Sequence, residues 1–181
     1  MTEPMEGEGA IAGTLAAYLE TEPSLEDFLS RMAALAGRLA AIHGAGCLCL
    51  GLTPQTVCCR ETPTAFYGGK GFRKAQFLEP GWGTLKLKAD RYFSAPEVWY
   101  YTGSYLERRG FAEFGELADA YSFGKLLEYY GSAAGKPLPQ ELKDLIQALT
   151  AHHTIRRQPD NLGAVQQQLN TILKQQKGDF L

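Results

Sequence analysis

Residues 111–130 read as a helix that is apolar on most of its sides, with Leu117, Tyr121, Gly124, Leu126 and Leu127 spread around it. Such a helix has to be enclosed by other elements rather than laid on a surface. That requirement demands a layered domain, and the neighbouring patterns supply the layers. Ser24 fits an N-cap with Asp27 three residues on, and Leu25, Phe28, Leu29, Met32, Leu35, Ala36, Leu39 and Ile42 follow at helical spacing. Gly44 and Gly46 close that helix. Leu142, Leu145, Ile146 and Leu149 form one face of a helix over 140–150, and Leu162, Val165, Leu169, Ile172 and Leu173 form one over 161–174. Gly131 to Pro139 reads as a turn, and residues 10–22 fit either a strand or one helical turn. Cys47–Leu50 and Val57–Cys59 read as short strands, and residues 60–90, rich in Gly, Pro and Lys, as a long surface loop. The expected class is mainly α with a small β-hairpin. A partly ordered segment 1–23, a domain 24–175 and a tail 176–181 make up the chain.

Composition removes several function classes. At 181 residues the chain can bury one core. Its net charge of −2, with scattered lysines and arginines, gives no basic field for nucleic acid or an anionic membrane surface. The acidic start, Met1 to Gly9, has neither the basic nor the apolar region of a signal peptide, so a cytoplasmic location with reduced thiols is expected. Leu39 to Cys59 carries no formal charge, yet His43, Gly44, Gly46, Gly51, Pro54 and Gln55 make it turn and buried strand; no membrane insertion is expected.

Two motifs carry more information. Arg91-Tyr-Phe-Ser-Ala-Pro-Glu-Val98 is followed by Asp119-Ala-Tyr-Ser-Phe-Gly124. The pair resembles the Ala-Pro-Glu and Asp-x-Tyr-Ser-Phe-Gly motifs in the large, C-terminal lobe of eukaryotic-type protein kinases. Gly46-Cys-Leu-Cys-Leu-Gly-Leu-Thr-Pro-Gln-Thr-Val-Cys58 then falls on that family's catalytic-loop pattern, with Leu52 and Pro54 matching. By this resemblance Cys49-Leu50-Gly51 stands for His-Arg-Asp, Thr53 for the phosphate-contacting Lys and Thr56 for the metal-binding Asn. Kinase chemistry needs the Asp to orient the hydroxyl and the Asn to hold magnesium. Gly51, Thr53 and Thr56 provide neither, and no Asp lies between Asp27 and Asp90 to serve Asp-Phe-Gly. The stretch ahead of Ser24 is too short for the small lobe with its nucleotide-pairing Lys.

The resemblance therefore implies a degenerate large lobe without catalysis, ATP, metal or cofactor. It also implies structural roles. Glu97 should pair with Arg156, seven residues after Leu149, and Asp119 should tie down the catalytic-loop backbone, although a carboxylate serving the local helix dipole is an equal reading. The short Gly131–Pro139 link leaves out the substrate-docking helix that kinases insert there. In that respect the chain is similar to kinase non-catalytic C-lobe domains, which bind proteins, some of them cytoskeletal. An adaptor or scaffold for a cytoskeletal or signalling partner is the implied function; the alternative is an allosteric subunit of an active kinase or other enzyme.

The remaining signals are weaker. Cys47, Cys49, Cys58 and Cys59 are either buried small hydrophobes or a zinc set, though their spacing is not that of the usual structural site. Gly68-Gly-Lys-Gly71 lacks the spacing of a phosphate-binding loop. His152-His153 reads as loop surface. Trp82, Tyr92, Phe93, Trp99, Tyr100, Tyr101 and Tyr105 crowd a loop-rich stretch, with Arg108 and Arg109 close by. Interfaces are enriched in Trp, Tyr and Arg. Trp82, Trp99, Tyr100, Tyr101, Tyr105, Arg108 and Arg109 are therefore the candidate partner-binding residues. The final Asp179-Phe-Leu181 fits either a docking carboxylate or a frayed end.

Overall fold

The computed structural model describes residues 13–59, 63–66, 72–73, 91–100 and 115–178, and the fold is mainly helical. In chain order the elements are α1 (Leu15–Leu19), α2 (Leu25–Gly44), β1 (Cys47–Leu48), β2 (Val57–Cys59), β3 (Pro63–Phe66), β4 (Phe72–Arg73), α3 (Pro96–Tyr100), α4 (Glu116–Ala134), α5 (Gln140–Leu149) and α6 (Leu162–Gly178). A 3-10 turn, Thr154–Arg156, links α5 to α6. Among the described residues no helix is long and apolar enough to cross a membrane.

Local chemistry sets the boundaries of α2. Ser24 Oγ accepts the Asp27 N–H at 3.1 Å, and the chain leaves the helix through Gly46 at φ +79°. The Asp27 carboxylate does not complete a capping box; it takes the Tyr18 hydroxyl and faces Arg31 Nε at 3.3 Å, which fastens α1 to α2. Phe28, Leu29, Met32, Leu35, Ala36 and Leu39 are buried as their spacing predicts, with Ala33 and His43 on the same stripe.

The enclosed helix is α4. Phe123, Leu126 and Leu127 have no exposed surface, and Tyr130 stacks on Phe28 with ring centroids 4.1 Å apart while its hydroxyl donates to Pro23 O at 3.1 Å. A Cβ at Gly124 would lie 2.8 Å from Leu149 Cβ, so α5 seats directly on the α4 backbone there. The helix runs past the turn expected at Gly131. Leu138 folds back over Gly131, leaving no space for a Cβ, and the stop falls at Gly135 in the left-handed region (φ +60°). Residues 111–114 of the expected helix lie outside the described residues. The most extensive helix pairing joins α2 to α6.

The β structure differs from the expectation. Segments 47–50 and 57–59 do not pair with each other: Cys47 and Leu48 oppose Arg73 and Phe72, whereas Val57 and Cys58 oppose Phe66 and Ala65. The reason is that the N–H groups of Cys49 and Leu50 bond to a carboxylate, which ends β1 after Leu48. The β2–β3 ladder is irregular between Cys58 and Cys59, where Pro63 stands opposite and has no N–H to donate. The long loop expected over 60–90 thus contains β3 and β4, and its other residues lie outside the described ones.

Candidate functional site

Asp119 stands in the first turn of α4 with a fully buried side chain. Its Oδ1 accepts the Leu50 N–H at 2.7 Å, and its Oδ2 accepts the Cys49 N–H at 2.8 Å and lies 2.8 Å from His43 Nε2. A buried carboxylate is tolerable only when such donors replace water. The loop it holds is strained. Leu50 adopts φ +52° with its side chain inside the core, a conformation L residues rarely take. Those are the backbone groups at the positions that the kinase resemblance assigns to His and Arg.

His43 was not singled out from the sequence. The signal was there: it falls four residues after Leu39, on the apolar stripe of α2, where a polar group needs a buried partner. Its other ring nitrogen, Nδ1, has no hydrogen-bond partner among the described residues.

Gly51, Thr53 and Thr56 lie just beyond the strained residue and close on one another. The Thr53 N–H donates to Thr56 Oγ1 at 2.8 Å, Thr56 Oγ1 donates to Gly51 O at 2.8 Å, and the Thr56 N–H reaches Thr53 Oγ1 at 3.2 Å. The hydroxyls are engaged in stabilising a turn across Pro54 and Gln55, as threonines commonly do.

The expected Glu97–Arg156 pair is corrected by one residue. Arg157 is the partner: Nη2 donates to Glu97 Oε2 at 2.8 Å and Nη1 bonds Oε1, a bidentate pair. Arg156 is exposed. The 3-10 turn explains the shift, because its tight winding turns Arg156 outward and delivers Arg157 to the interior. The same guanidinium donates to Ala151 O (2.8 Å), Leu117 O (3.0 Å) and His152 O (3.1 Å), so one side chain joins α3, the start of α4 and the α5–α6 link.

The candidate interface is only partly placed. Trp99 and Tyr100 end α3, directly after Glu97. Trp82, Tyr101, Tyr105, Arg108 and Arg109 lie outside the described residues. Upstream, Phe93 is buried edge-on against Tyr129, with centroids 5.7 Å apart. Tyr92 is exposed, with the Lys125 ammonium 4.5 Å above its ring. Partial burial of the ring, then the nearby Glu128 charge, push the Tyr92 hydroxyl above its usual pKa. His152 and His153 are exposed. Among the described residues no group of three His, Cys, Asp or Glu side chains could hold a metal; Cys49 is half-buried, and the side chains of Cys47, Cys58 and Cys59 lie outside this description.

No protein-family model matches the chain, and no curated protein matches it.

Proposed function

We propose that this chain is a catalytically inert domain related to the kinase large lobe, which works as a protein-interaction adaptor. The observation that carries this reading is the Asp119 carboxylate on the backbone N–H groups of Cys49 and Leu50. It supports the reading because a carboxylate from the central helix is what the resemblance implies for that loop. The next side chains along the loop, Thr53 and Thr56, close a turn instead of presenting a base or a metal ligand. The Glu97–Arg157 pair gives further support, since it anchors α3, the helix that Trp99 and Tyr100 end, without needing any catalytic purpose.

Two measurements test this. The melting temperature should not move when ATP and magnesium are added; a saturable rise, which reports binding to the native state, overturns the inert half. Capture of a protein partner from native extract should fail for Trp99→Ala and Tyr100→Ala variants that retain the wild-type melting temperature. Capture that persists in both moves the interface off α3.

A further inference from the structure

We draw no further inference here: the strongest candidate, the exposed Ile155 on the Thr154–Arg156 turn between α5 and α6, is a single apolar side chain beside the exposed His152, His153 and Arg156, and nothing in the structure shows what covers it.

Discussion

Asp119 and Glu97 are both carboxylates held largely out of water, yet they are neutralised in opposite ways. Glu97 faces another side chain, the Arg157 guanidinium, which in turn spreads its remaining donors over three backbone carbonyls. Asp119 faces two backbone N–H groups and one imidazole. The two charges of a side-chain pair can be removed together, leaving only the three neutral carbonyls that Arg157 serves to find other donors. Backbone N–H groups cannot be exchanged. Asp119 therefore has no compensating substitution for its main partners, and the loop at Leu50 depends on that one carboxylate.

The largest expected effect breaks the first region. Glu97→Leu should destabilise the fold by about 3–5 kcal/mol, since it leaves the Arg157 charge buried and unpaired. Adding Arg157→Met removes the stranded charge but leaves three backbone carbonyls without its donors, so it should recover only part of that loss. Denaturant unfolding of the singles and the double measures the coupling; a double as unstable as Glu97→Leu would dissolve the contrast with Asp119. Next comes Asp119→Asn, expected to cost about 2–3 kcal/mol, because one acceptor oxygen becomes an N–H2 group facing donors. Amide exchange at Cys49 and Leu50 should accelerate well before global unfolding. Protection that remains there would show that the loop holds itself.

His43→Leu should cost less, about 1 kcal/mol. It deletes one donor to Asp119 but also removes the unpartnered Nδ1 from the interior. A loss as large as that of Asp119→Asn would make the imidazole, rather than the backbone, the main partner of the carboxylate.

The smallest effect concerns Asp27, an exposed carboxylate that completes the series. The Tyr18 hydroxyl holds its pKa below the usual 3.8, against partial burial and with help from Arg31. A carboxyl depressed on folding contributes stability above its unfolded pKa, and loses it as pH falls through the lower folded value. Wild type and Tyr18→Phe should therefore differ slightly in melting temperature near neutral pH and converge in acid. A difference that grows in acid would reverse the assignment. Solvent screening keeps the effect small.

Much of this organisation could be read from residue patterns. Helix α2 was legible because Ser24 caps it and its apolar residues recur on one face; the α5 pattern was just as regular. Helix periodicity does not extend through a turn, however. Arg156 and Arg157 are chemically identical neighbours, and only the winding of Thr154–Arg156 decides which enters the core. The strand partners were illegible for a different reason. Cys49 and Leu50 have strand-forming side chains, but their backbone donors are claimed by a residue about seventy positions away.

The pairing of α2 with α6 has a consequence for how the chain is made. Lys177 Nζ on α6 lies 2.9 Å from Glu26 Oε1 on α2, so the two ends of the domain meet. During synthesis the face of α2 that receives α6 stays uncovered until almost the whole domain has left the ribosome. Until then the nascent chain presents a sticky surface to chaperones and to other nascent chains, the kind of late, long-range closure that slows folding and invites misassembly.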